Sequence, residues 1–232
     1  MRKTICLIAM LLATIGMKAQ YQRGDLFVYP RIGFSLANVT QNELMVGTSV
    51  ESLKSKKKAG LTAGVEAELF VSNVLSLSAG AFYANQGYRY ADWGEQDVKA
   101  RTFSNLEDIH TTMHFINIPV MLNGYLADGL ALKAGLQAGY LIKAQSYMKE
   151  KSGIIDEANI YTVTESNTTD ETTTDIFNRF DLSIPIGISY EYKRVVLDLR
   201  YNIGLSKVFK NLPSNSGHHQ VLMFTMGYQI EL

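Results

Sequence analysis

From residue 26 onward, apolar and polar side chains alternate with a period of two, the period of a strand that shows one apolar and one polar face. Leu61, Ala63, Val65, Ala67 and Leu69 alternate with Thr62, Gly64, Glu66 and Glu68. Leu75, Leu77, Ala79, Ala81 and Tyr83 do so with Ser76, Ser78, Gly80 and Phe82. The same reading gives strands through Ile116–Leu122, Leu130–Tyr140, Leu182–Tyr190 and Val195–Leu205. The ends add two more, with Ile32, Phe34 and Leu36 opposite Arg31, Gly33 and Ser35, and Leu222, Phe224, Met226, Tyr228 and Ile230 opposite Thr225, Gly227, Gln229 and Glu231. The total of eight is an even number, as an up-and-down antiparallel ring requires.

The connections between these segments alternate between short and long. The short ones are Ser72-Asn73, Ala127-Asp128-Gly129 and Lys193-Arg194. Continuity of the apolar face across each hairpin fixes the parity of its loop, which makes Lys193-Arg194 a two-residue turn and Ala127-Asp128-Gly129 a three-residue one with Gly129 left-handed. The long ones, 38–57, 91–110, 147–176 and 209–217, are rich in charge, Ser, Thr, Asn and Gly and are expected to be loops. Turns at one end and loops at the other, with both termini on the turn side, is the asymmetry of a transmembrane barrel.

Period two does not say which face is inside. The polar face is built of Gly, Ser, Asn and charges of both signs: Arg31, Glu66, Glu68, Lys133, Lys143, Asp181, Asp198, Arg200 and Glu231. That composition suits the narrow interior of an eight-stranded barrel, filled by small residues and ion pairs. A soluble barrel would instead have to enclose large aliphatics from all eight strands in the same space. The fold expected is therefore all-β: an eight-stranded antiparallel up-and-down transmembrane β-barrel with short periplasmic turns and longer extracellular loops. Tyr190, Tyr192 and Tyr228 near the turn end, and Tyr83, Tyr140 and Phe180 near the loop end, are placed as two interfacial aromatic girdles.

The N-terminus reads as a cleaved signal peptide over residues 1–19, with Arg2 and Lys3, an apolar stretch from Ile5 to Ile15, and Met17-Lys18-Ala19 before Gln20. The barrel domain then occupies residues 20–232. Cys6, the only cysteine, leaves with the signal, so the mature chain offers neither disulfides nor thiol chemistry. With 22 basic and 22 acidic residues the formal net charge is zero, which removes the electrostatic case for nucleic-acid binding.

The stretches Phe115-Ile116-Asn117-Ile118-Pro119-Val120, Leu132-Lys133-Ala134-Gly135-Leu136-Gln137-Ala138-Gly139-Tyr140-Leu141 and Leu199-Arg200-Tyr201-Asn202-Ile203-Gly204-Leu205-Ser206 carry a family resemblance. Across residues 20–232 the chain resembles the outer membrane protein beta-barrel domain family of small eight-stranded barrels, sometimes labelled PorT-like or "porin family". The resemblance implies a fold and a place, the outer membrane of a Gram-negative cell. Leu232 stands where a terminal phenylalanine is common.

Several residues invite a chemical reading. Arg31, Glu66, Glu68, Lys133, Asp181, Asp198, Arg200 and Glu231 are expected to form a structural ionic cluster in the barrel interior, for example through Arg31 with Glu66 or Glu68. Lys54, Lys56, Lys57 and Lys58 are candidate contacts to lipopolysaccharide phosphates. If pairing about Asp128 runs to the rim, His110 falls opposite Ser146 with His114 below, the sole arrangement resembling a nucleophile and base. No acid orients that histidine in any motif, and no catalytic, cofactor or metal residue is assigned. The acidic loop carrying Asp156, Glu157, Glu165, Asp170, Glu171 and Asp175 lacks calcium-loop spacing, and adjacent His218 and His219 point apart on an extended chain. The function expected is a monomeric, non-enzymatic barrel among outer membrane lipids and lipopolysaccharide, serving the envelope or binding an unidentified surface ligand. The alternatives are a small-solute porin, a lipid-modifying enzyme and a component related to protein secretion.

Overall fold

Period-two alternation is realised as eight long strands: β1 (Leu26–Val39), β2 (Lys56–Phe70), β3 (Leu75–Arg89), β4 (Thr102–Ala127), β5 (Leu130–Ile155), β6 (Phe180–Tyr192), β7 (Val195–Gly204) and β8 (His219–Tyr228). This is a computed structural model, and it describes residues 21–47, 51–210 and 217–232; the signal segment 1–19 and most of the fourth long connection lie outside them. Each strand pairs antiparallel with its sequence neighbours, and β1 closes the ring on β8 through pairs such as Phe34↔Phe224. Closure satisfies the backbone polar groups between strands, which lipid cannot do.

The alternation runs apolar-out. Ile32 is 63% exposed beside Arg31 at 4%, and Leu61 is 71% exposed beside Thr62 at 1%. The same holds on β5, where Leu136 is exposed and Gln137 buried, and on β7, where Leu199 is exposed and Arg200 buried. An exterior of this kind is unfavourable in water and favourable against acyl chains.

The hairpins are close to those expected, with two refinements. Tyr192 pairs with Val195 around Lys193 and Arg194, both left-handed at φ 47° and 71°, the geometry of a type I′ turn. Gly129 is left-handed at φ 73°, but Ala127 pairs with Leu130 and Tyr125 with Ala131, so the odd residue sits in a bulge at Leu126 beside a two-residue turn. The first turn is wider than Ser72-Asn73, since β2 ends at Phe70 and β3 begins at Leu75.

The long connections differ more. β4 and β5 have 26 residues each, which at about 3.4 Å per residue is roughly 85 Å, far beyond the need of an apolar band roughly 25 Å tall. Their distal halves leave the barrel and are flanked by Trp93–Asp97 on β4 and Tyr161–Thr172 on β5, making a four-stranded external sheet. Segments 91–110 and 147–176 are thus mostly strand rather than loop. Much of this sheet meets water, all of Tyr161–Thr172 included, so it carries little apolar alternation to detect. The first long connection also contains a small hairpin, Glu43–Val46 with Glu51–Lys54.

Candidate functional site: a closed lumen beneath an external sheet

Inward-facing side chains close the lumen at three levels. At the turn end, Tyr21, Phe27, Tyr29, Phe70 and Val196 form a buried cluster with Tyr125 packed on it. Tyr21 precedes β1 and folds back under the barrel, its ring stacked on Phe70 at 4.1 Å and its hydroxyl donating to Glu191 Oε2 at 2.6 Å. Burial, with the Glu191 carboxylate beside it, pushes the Tyr21 hydroxyl above its ordinary pKa, so it remains a donor at neutral pH. Gln229 bridges the hydroxyls of Tyr21 and Tyr29 to the Glu191 carboxylate.

Above this cluster lies an ionic layer contributed by four strands. Glu66 on β2 accepts Arg31 Nη2 from β1 at 3.0 Å, Lys133 Nζ from β5 at 2.8 Å and Arg200 Nη2 from β7 at 2.5 Å. Asp198 contacts the same cations, at 3.2 Å to Arg31 Nη1, 3.2 Å to Lys133 and 2.6 Å to Arg200 Nε. Strands β2, β5 and β7 are not neighbours in the ring, so these pairs cross the lumen rather than line it. The cations also lie over aromatic faces, Arg31 over Tyr29 and Arg200 over Phe82. Glu68, expected in the same cluster, is instead held by uncharged donors: it accepts from Tyr125 and Asn123 at 2.9 Å and from the Ser76 hydroxyl.

At the loop end Val39, Tyr88, Met113, Phe115, Leu141, Ala144, Phe177 and Val208 form a second apolar cluster across the barrel. Phe177 and Val208 come from the connections before β6 and after β7, so the plug includes non-strand chain. These two apolar clusters are absent from the expected site. The signal for the lower one was visible as Phe27, Tyr29 and Phe70 standing at inward, nominally polar positions.

The remaining candidates fall elsewhere. Asp181 sits near the loop end and accepts from Ser206 Oγ at 2.7 Å, apart from the ionic layer. Glu231 is exposed beyond β8, opposite Phe27. Lys143 is turned outward: His114 pairs with Lys143 and Phe115 with Leu141, so Ile142 is a bulge that inverts the faces of β5 above it. The same shift sets His110 opposite Tyr147 and Thr111 opposite Ser146. The His110 ring contacts Asp108 at 3.1 Å and stacks on Tyr147, while Ser146 Oγ bonds to Thr111 and Thr173 hydroxyls. No nucleophile–base pair is formed there. Of the lysine run, Lys54 pairs with Glu43 in the small hairpin, Lys56 with Arg89 and Lys57 with Tyr88. His218 bonds to the Ser206 carbonyl, whereas His219 is buried against Phe115.

A closed eight-stranded ring with a lipid-compatible exterior and a filled polar interior defines the class as a transmembrane β-barrel of the outer-membrane type. The chain belongs to the outer membrane protein beta-barrel domain family, which it matches over residues 18–210. No curated protein matches it. Among solved structures it is similar to Ail, the attachment invasion locus protein of Yersinia pestis, crystallised with the heparin analogue sucrose octasulfate (14% identity, TM-score 0.43, covering 90% of this chain and 100% of that chain). It is also similar to Neisserial surface protein A (10%, 0.38, 89% and 97%) and to OprG from Pseudomonas aeruginosa (9%, 0.39, 92% and 99%).

Proposed function

We propose that this protein is a non-enzymatic, non-conducting anchor whose external sheet captures an extended segment of another chain at the cell surface. A cleaved signal over residues 1–19 delivers it to the outer membrane, with the turn end in the periplasm. The observation that carries the reading is the strand Tyr161–Thr172, whose twelve residues are all exposed and which, among the described residues, pairs only with β5. Its other edge offers backbone donors and acceptors in register for one more strand.

Glu165, Asp170 and Glu171 lie on this strand and no cation does, which favours a basic partner. Three filled layers beneath it argue for a barrel serving as a mount rather than a pore.

The test uses membranes containing the protein and a fluorescent dodecapeptide of alternating Lys and Thr. Of any two consecutive residues on an antiparallel edge strand, one turns its N–H to the free side. A scan of Ser166→Pro, Asn167→Pro, Thr168→Pro and Thr169→Pro should therefore weaken peptide binding at least tenfold at alternate positions with the barrel intact. No binding by the parent protein, or binding indifferent to all four prolines, contradicts the reading.

A further inference from the structure

The outward surface just beyond the apolar band carries a second feature, independent of the edge strand. Two rows of basic and polar side chains cross adjacent strands there. In the outer row Lys56 of β2 pairs with Arg89 of β3, and Arg89 pairs with His110 of β4. In the inner row Asn85 of β3 pairs with His114 of β4, and His114 pairs with Lys143 of β5.

The position of each row follows from the register. His114 stands directly above outward-facing Ile116, and its Nδ1 is 2.5 Å from the hydroxyl of Tyr83, a half-exposed aromatic at the top of the band. Lys143 reaches this surface only because the Ile142 bulge rotates it out of the lumen. Below the rows lie exposed Leu61, Tyr83, Ile116 and Tyr140, an apolar wall at acyl-chain depth.

These cations lack internal partners. Among the described residues Lys56, Arg89 and Lys143 form no ion pair; the ion pair in the rows is that of His110 with Asp108. Unpaired cations next to a membrane interface draw anionic headgroups. Four residue steps along β4 lead from His110 to His114, a spacing of about 13 Å between the rows.

From this juxtaposition we propose that the outward faces of β2–β5 form a binding site for a phosphorylated glycolipid of the outer leaflet. One phosphate meets Lys56 and Arg89, a second meets Lys143 beside His114, and the acyl chains lie against the wall below. The site differs from the lysine run Lys54–Lys58 in the residues that matter. Lys54 belongs to the small hairpin, in register with Glu43, whereas Arg89 and Lys143 come from strands distant in sequence. It rests on the loop end facing outward and stands or falls separately from capture at the edge strand.

The test is native mass spectrometry of the full mature protein in detergent, with diphosphoryl lipid A, its fully dephosphorylated form and inorganic phosphate as probes. Diphosphoryl lipid A should be retained in a one-to-one complex, the dephosphorylated form at least tenfold less. Arg89→Gln with Lys143→Gln should lower retention at least tenfold, while Arg89→Lys with Lys143→Arg should keep it. Heat-modifiable migration on a gel verifies that each variant is a folded barrel, and both exchanged positions are exposed. Equal retention of the two lipids would reduce the surface to an ordinary acyl-chain belt. Full competition by inorganic phosphate would make it a free-anion site. Either outcome, or a double glutamine variant that binds as the parent does, overturns the proposal.

Discussion

Glu66 is fully buried and touches Arg31, Lys133 and Arg200 at once. Its removal leaves those guanidinium and ammonium groups with Asp198 alone, in a lumen where water cannot compensate. Removing one partner of a buried ion pair costs roughly 3–5 kcal/mol. Glu66→Gln is therefore expected to lower the unfolding temperature on a gel more than Arg31→Ala, after which two cations and two carboxylates remain matched. Equal effects would mean the layer is a set of independent pairs. How much of this was legible at residue scale depends on parity. Arg31, Glu66, Lys133, Asp198 and Arg200 share inward positions on strands whose phase is unambiguous, so their meeting follows from closure. Lys143, His110 and Ser146 lie beyond the Ile142 bulge, an insertion with no mark in the local pattern, and their positions shift by one. Glu231 lies past the last barrel strand, where alternation no longer implies burial.

The Lys193-Arg194 hairpin shows what element-level reasoning captures and omits. Parity required two residues there, and the strands are joined by two. Composition did not announce that both would be left-handed, because the residues favoured in a type I′ turn are Asn and Gly. A left-handed conformation costs an L-residue with a Cβ about 1–2 kcal/mol. Replacing the pair by Lys193→Asn with Arg194→Gly is expected to raise barrel stability by about 1–2 kcal/mol in a denaturant titration. An unchanged or lowered midpoint would show that contacts such as Lys193 over the Tyr192 ring, 5.3 Å from its centroid, offset the backbone cost. The external sheet is the opposite case. Tyr161–Thr172 is rich in Thr with Tyr and Val, a strand-favouring composition, yet it lacks an apolar face and so read as loop.

For the whole molecule, the fold follows from three properties readable along the chain: eight apolar faces, alternate short connections and an interior of small and charged residues. What could not be read was how completely the interior is filled. The turn-end plug depends on Tyr21, which precedes the first strand and returns beneath it, and the loop-end plug on Phe177 and Val208 from the connections. Such contacts join residues far apart in sequence through chain with no period. Together with the lumen-crossing ion pairs they leave an eight-stranded barrel closed at both ends and in the middle, as the proposed role of a surface mount requires. Planar-bilayer recording of the purified, heat-modifiable protein tests that closure most directly. The account predicts insertion without discrete conductance steps, and regular unitary steps from the unmodified protein would contradict it.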